Sequence, residues 1–202
     1  MKNIDTLLHA RWILPVSEGD PCLENHSIAV HDERIVEVLP SSEARQQYKA
    51  AVELEYENHS LIPGLINAHT HAAMSLFRGL ADDIALMDWL QDYIWPAEAR
   101  WVNEEFVQAG TELAVAEMLR SGTTCFNDMY FFPDITARVA KNAGIRSCVG
   151  LIVIDFPTVW AGNAEEYLEK GIAVHDSYRN DDLVRTSFAP HAPYTVSDEP
   201  LE

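Results

Sequence analysis

From Ser60 onward the chain alternates short apolar strands with helices, and this rhythm constrains its fold more than any other feature. S-L-I-P-G-L-I-N-A-H-T-H reads as an apolar strand that runs into polar residues. A long connection follows, helical near 84–94 and again over Glu104–Arg120, where Ala109, Leu113, Ala116 and Leu119 recur at helical spacing. Gly122 stops that helix, and T-T-C-F-N-D-M is the second strand. A helix over 133–142 is capped by Gly144, and I-R-S-C-V-G-L-I-V-I-D is the third strand. A helix over 163–178 precedes the fourth, L-V-R-T-S-F-A-P-H-A-P-Y. Strands separated by helices imply a parallel α/β sheet. Each strand ends in polar residues (His69 and His71, Asp128, Asp155, His191), at the edge where barrel active sites form. The expected fold is therefore a (β/α)8 barrel of the TIM type, with its first four strand–helix units in residues 60–202. A closed barrel takes roughly 250 residues, more than the whole 202-residue chain. An open half would leave apolar strand edges bare. The expectation is thus an N-terminal part of a longer protein, with S-D-E-P-L-E starting the next helix.

Residues 1–59 read differently, as strands and turns. I-D-T-L-L-H-A and R-W-I-L-P-V form a first pair closed by Pro15 and S-E-G-D-P, and Asp32-Glu33 is a tight hairpin between S-I-A-V-H-D and R-I-V-E-V-L-P. A short polar helix over 41–48 leads to the alternating strand A-V-E-L-E-Y. Such a block is too small to stand as a sandwich by itself. It reads as the N-terminal part of a small β-sandwich domain.

Composition narrows the partners. Hydrophobic residues make up 48% of the chain, enough for a core and too many for a disordered tail. Fourteen Lys+Arg against 32 Asp+Glu leave a formal charge of −18. That field repels phosphate backbones and anionic lipid, which argues against nucleic-acid polymers and membranes as partners. A small nucleoside, held by pocket contacts, stays open, and so does a homodimer. Cys22, Cys125 and Cys148 share no short spacing, and the last two read as buried small hydrophobes. The N-terminus lacks the apolar stretch of a signal peptide and no segment has membrane-spanning length, so a cytoplasmic setting is the simplest expectation.

His69 and His71 stand at i and i+2 on a strand and so point to one side. About 6–7 Å apart along the strand, their rings can converge on one ion at about 2.1 Å. The alternative is a pair of loop histidines that coordinate nothing, and H-x-H by itself does not decide. The apolar P-G-L-I strand and the β unit before it favour the metal; zinc, iron(II) and manganese(II) all suit such ligands. His191 sits between two prolines that fix its backbone, so its ring is either aimed at a ligand or a satisfied core histidine. Glu98 opens a helix, where the dipole favours a carboxylate, and it also offers acceptors to two adjacent donors. Trp89 and Trp95 lie in the long connection, either as a lid over a planar ring or as core. His175 lies on a polar helix and reads as exposed, while His9, His26, His31 and His59 of the β unit carry no expected role.

The stretch L-I-P-G-L-I-N-A-H-T-H-A-A-M-S-L-F-R-G-L-A-D-D resembles the amidohydrolase superfamily, and within it the 5-methylthioadenosine/S-adenosylhomocysteine deaminases. M-D-W-L, I-W-P-A-E-A-R, G-T-T-C-F-N-D-M-Y and A-P-H-A-P-Y extend the resemblance over nearly the whole chain. It implies a metal-dependent hydrolytic deaminase with one divalent ion, zinc first and iron(II) or manganese(II) after it, held in part by His69 and His71. It makes Glu98 the acceptor for ribose hydroxyls and His191 the residue that orients the nucleoside. Asp128 is then structural, because the family's metal-binding aspartate comes from a later strand. The remaining ligands and the proton-transferring Glu are expected beyond Glu202, with no catalytic residue inside the segment. Residues 1–202 alone are accordingly expected to bind metal weakly and to be inactive. Where relatives that accept S-adenosylhomocysteine carry carboxylate-clamping arginines, this chain has Leu151 and Asn163, and the loop D-F-P-T-V-W-A-G-N is apolar. Trp89, Leu151 and Trp160 are thus candidate pocket residues. The expected substrate is 5′-methylthioadenosine, converted to 5′-methylthioinosine and ammonia, in preference to S-adenosylhomocysteine. The alternatives are another amidohydrolase, such as a guanine deaminase or a triazine chlorohydrolase, or a non-catalytic module if 202 residues are the whole protein.

Overall fold

In the computed structural model, which describes residues 1–17, 19 and 21–201, the chain divides into two compact units, Met1–Pro63 and Gly64–Glu202. The first unit opens on a single long strand, β1 (Lys2–Ile13), where the sequence suggests two. His9 and Ala10 are both buried, so the in–out alternation slips by one, and pairing with β4 (Tyr48–Leu61) shifts between Ala10 and Trp12. A bulge absorbs an apparent strand break without ending the strand. The expected S-E-G-D-P turn falls partly on Glu18 and Asp20, which lie outside the described residues. β2 (Leu23–His31) and β3 (Arg34–Pro40) form the hairpin, with Asp32 at φ 49° and Glu33 at φ 62°. Two left-handed residues in a row are what a two-residue type I′ turn requires. The helix α1 (Ser41–Gln47) then returns the chain so that β4 runs parallel to β1. Among the described residues this unit holds one four-stranded sheet, in the order β3-β2-β1-β4, and not two facing sheets. Ile4, Leu7, Ala29, Leu39, Ala44 and Tyr48 form its core. His9 is buried against Ser27 and Glu53, a structural place.

The second unit is a parallel sheet in the order β5-β6-β7-β8. The strands are β5 (Leu65–Thr70), β6 (Thr123–Met129), β7 (Arg146–Val153) and β8 (Val184–Pro190). After β5 come a 3-10 turn at Ala72–Phe77, a short α2 (Leu86–Asp88), a π-helical stretch at Trp89–Ile94 and α3 (Trp95–Trp101). Pro96, which lacks an N–H and crowds the turn before it, follows the widened stretch. Then α4 (Glu104–Arg120), α5 (Pro133–Ala143) and α6 (Ala164–Tyr178) connect the remaining strands. The side chains of Asn103 and Asn163 cap α4 and α6 by accepting the backbone N–H of Phe106 and Glu166. Gly122 and Gly144 close α4 and α5 at φ 87° and 73°.

α4 buries Val107, Gly110, Thr111, Ala114, Val115 and Met118, while Ala109, Leu113, Ala116 and Leu119 face outward. α4 carries apolar residues on both sides, and its approach to the 3-10 turn decides which of them are buried. A Cβ on Gly110 would lie 2.4 Å from the Ala73 carbonyl oxygen, so only glycine allows this approach. The core around Phe126, Val107, Ile135, Ile145 and Tyr167 holds helices to sheet, each fully buried aliphatic or Phe side chain contributing about 1.5–3 kcal/mol. The outer strands leave Leu65, Ile66 and Phe188 at 50%, 71% and 55% exposure, as the bare edges expected of half a barrel. Cys125 and Cys148 are half-buried, less sequestered than expected. Among the described residues, no helix is long and apolar enough to cross a membrane.

Candidate active site

Parallel register brings every strand end of the second unit to one edge. Thr70 pairs with Asp128, Met129 with Gly150, and Val153 with Pro190. At that edge a cavity of about 490 Å³ opens, within the size range of small-molecule sites. Its polar lining includes His71, Glu98, Tyr130, His191 and Thr195; Trp89, Trp95, Phe156, Pro157 and Val159 supply much of the apolar wall. No lysine or arginine is among the described residues that line it.

His69 and His71 have ring centroids 5.1 Å apart at an interplanar angle of 80°. His69 is exposed and outside the cavity lining, whereas His71 is half-buried and part of it. The Nδ1 of His71 lies 2.6 Å from the Met129 carbonyl oxygen. A carbonyl only accepts, so Nδ1 carries the proton and Nε2 keeps a free lone pair. That is the tautomer a metal-binding histidine needs, held as such partners usually hold one. The two imidazoles thus fit two positions in the shell of a divalent ion such as zinc, iron or manganese.

Glu98, on α3, is half-buried, and the Tyr130 hydroxyl donates to its Oε1 at 2.8 Å. Burial pushes the Glu98 carboxyl above the usual carboxylate range, opposed by the Tyr130 hydrogen bond. Oε2 remains for a ligand. Tyr130 itself is buried, and burial together with the neighbouring Glu98 charge raises its phenol far beyond ionisation near neutrality. The motif G-T-T-C-F-N-D-M-Y ends on this residue, and the sequence reading gives it no role. A tyrosine directly after a strand that ends at a ligand edge was the available signal.

His191 follows β8, where its backbone N–H donates to the Val153 carbonyl. Its Nδ1 is 2.9 Å from Thr195 Oγ1, and that hydroxyl donates to the Ala192 carbonyl. With its proton committed, the Thr195 oxygen accepts from Nδ1–H, and Nε2 of His191 is left as an acceptor. Burial lowers the His191 pKa and favours this neutral form. Asp155 accepts the Ser197 N–H at 2.6 Å, pinning the loop that carries His191.

Three expected positions lie elsewhere. Leu151 is 2% exposed and points to α6, where a Cβ on Gly171 would meet its Cβ at 3.3 Å. Alternation along the end of β7 turns Ile152 and Ile154 to the cavity instead. Trp160 is buried edge-to-face on Tyr167, at 5.4 Å between centroids, and is not in the lining. Asn163 caps α6. Trp89 does line the cavity, its indole N–H donating to the Ala81 carbonyl at 3.2 Å. His175 is half-buried, 2.7 Å from Thr186 Oγ1, and not exposed as expected. Asp128 is fully buried and bonded to Thr70 and Ala72, in keeping with a structural reading.

Known proteins resemble this chain in sequence and fold. A 5-methylthioadenosine/S-adenosylhomocysteine deaminase of Saccharophagus degradans is 52% identical over 198 residues, covering 98% of this chain and 44% of the relative. The crystal structure of an adenosine deaminase from Xanthomonas campestris with bound zinc aligns with a TM-score of 0.96 at 48% identity, over 98% of this chain and 45% of that one. A triazine hydrolase from Arthrobacter aurescens aligns at a TM-score of 0.86 and 18% identity, over 98% of this chain and 48% of that one, a likeness of fold alone. The chain spans a little under half the length of these relatives. The family model for the amidohydrolase family matches residues 60–202. The strand–helix units described above are those of the amidohydrolase barrel, and the chain belongs to the amidohydrolase family.

Proposed function

We propose that this protein is a metal-dependent hydrolytic deaminase of adenine nucleosides, with 5′-methylthioadenosine its preferred substrate. The observation that carries the reading is one cavity edge bearing His71 with a free Nε2, a carboxylate with one free oxygen and a neutral imidazole acceptor. The names of the similar deaminases, and the zinc bound in the Xanthomonas campestris structure, support it.

In this reading His69 and His71 hold the ion, with zinc favoured over iron(II) and manganese(II). A bound divalent ion activates water for attack at a ring carbon bearing an amino group. Glu98 accepts hydrogen bonds from the two ribose hydroxyls through Oε2, while Tyr130 keeps Oε1 occupied and the carboxylate oriented. His191 Nε2 accepts an N–H of the nucleoside and turns the ring. Trp89 and Phe156 cover the planar base and keep bulk water away. The proton donor and the other ligands are assigned to none of the described residues. Free cysteines suit a cytoplasmic setting.

The preference rests on the apolar wall of Phe156, Pro157 and Val159 and not on Leu151. A methylthio group suits that wall, whereas the carboxylate of S-adenosylhomocysteine finds no cation among the described lining residues, and unpaired charge is costly to desolvate. The test is ammonia release by the full-length protein from 5′-methylthioadenosine, adenosine, S-adenosylhomocysteine and guanine, with chloride release from a chlorotriazine alongside. The expected order of kcat/KM has methylthioadenosine first and S-adenosylhomocysteine behind it. Equal values for those two would refute the preference, and turnover of only guanine or the triazine would refute the substrate class.

A further inference from the structure

The ladder between β5 and β6 lapses where the two histidines stand: its register shifts between Asn67 and Thr70. Side chains of β6 take over there. Asn127 Nδ2 donates to the Ala68 carbonyl at 3.2 Å. One oxygen of Asp128, Oδ1, accepts the Ala72 N–H at 2.7 Å and lies 2.7 Å from the Thr70 hydroxyl, whose one proton it shares with the Asn127 carbonyl at 2.9 Å. The Met129 carbonyl accepts the ring of the residue between them, His71, at 2.6 Å. Thus three consecutive residues, 70 to 72, are gripped by two, 128 and 129. Asp128 is 1% exposed, and among the described residues its other oxygen has only Thr136 Oγ1, at 3.5 Å. A buried carboxylate among neutral donors is expensive, and an apolar residue would serve packing alone better.

We propose that Asp128 is a positioning residue: it aims His71 at the divalent ion by gripping the chain on both sides of it, without touching the ion. The inference rests on the metal-site reading above. Because both bonds end on Oδ1, an asparagine that keeps its oxygen there retains the grip and directs its amide at Thr136. Geometry, not charge, is what the site takes from this residue.

The test measures zinc affinity by chelator competition on the full-length protein, beside the Tm of each metal-free variant. Loss of a ligand's partner typically costs about 10- to 100-fold in affinity, so Asp128→Ala is expected in that range, with Asp128→Asn within about threefold of the parent. Thr70→Val, which removes one donor and keeps the side-chain shape, is expected to weaken zinc severalfold while metal-free Tm stays near the parent's. It reports even if Asp128→Ala does not fold. Parent-like affinity in Asp128→Ala or Thr70→Val overturns the proposal, and so does an Asp128→Asn as weak as Asp128→Ala, which would mean charge or direct ligation. If the parent binds zinc no better than a His69→Ala/His71→Ala variant, the metal reading itself fails and takes the positioning role with it.

Discussion

Substituting Gly110 by alanine sets two effects of known size against each other. In a helix interior the change should stabilise by about 1 kcal/mol, through propensity alone. The new Cβ would lie 2.4 Å from the Ala73 carbonyl oxygen, 2.8 Å from its Cα and 2.9 Å from its carbonyl carbon. Ordinary contact needs about 3.5 Å, so α4 or the 3-10 turn must retreat by about an ångström. Every contacted atom is backbone, and no rotamer change can relieve it. Overpacking of this kind costs about 1–3 kcal/mol, and with backbone atoms alone in the way the cost falls at the upper end, about 2–3 kcal/mol. The net expectation is a loss of about 1–2 kcal/mol, or a fall in Tm of about 2–8 °C for a domain of this size. Ala72, whose N–H is held by Asp128, moves with Ala73, so zinc affinity should fall as well. Thermal unfolding followed by circular dichroism, with chelator competition beside it, gives both readouts. A Tm at or above the parent's would refute the close approach of α4 to the turn after His71.

Tyr130→Phe leaves Glu98 without its donor, so KM for the nucleoside should rise about tenfold or more. Because that bond lowers a carboxyl already raised by burial, its loss should move the acid limb of kcat/KM to higher pH; an unmoved limb contradicts the assignment. Val159→Arg places a cation on the apolar wall and should shift the kcat/KM ratio about tenfold toward S-adenosylhomocysteine, and an unchanged ratio would count against the wall's role. Asp181 is held down to about 2 by Lys141 and the backbone N–H groups of Leu183 and Val184. A depressed carboxyl stabilises the fold above its unfolded pKa of about 4 and loses that contribution as pH falls toward 2. Asp181→Asn should therefore lower Tm at pH 7 and converge with the parent near pH 2–3, whereas a constant gap would contradict the linkage.

The strand–helix units after Gly122 were legible because glycines and caps punctuate them: Gly122 and Gly144 sit at positive φ, and Asn163 accepts the Glu166 N–H. The histidine pair was legible for a similar reason, an apolar strand that turns polar at its end. Resemblance puts Leu151 at the pocket, but along a strand one step changes the face, and Ile152 takes the cavity side. Trp160 and Trp89 show the same limit in loops: one packs on Tyr167 and the other lines the cavity, with nothing local to tell them apart. The face of α4 depends on Ala73, far away in sequence, and Asp128 acts through contacts nearly sixty residues distant. Long-range contacts of this kind leave no periodic trace.

The central claim is that His69 and His71 hold the metal. Metal content of the full-length protein by mass spectrometry, beside a His69→Ala/His71→Ala variant of similar Tm, tests it most directly. The expected result is about one divalent ion per chain in the parent, as catalytic zinc sites hold, and a variant that retains almost none. A variant that keeps its ion, or a parent that never holds one, would contradict it.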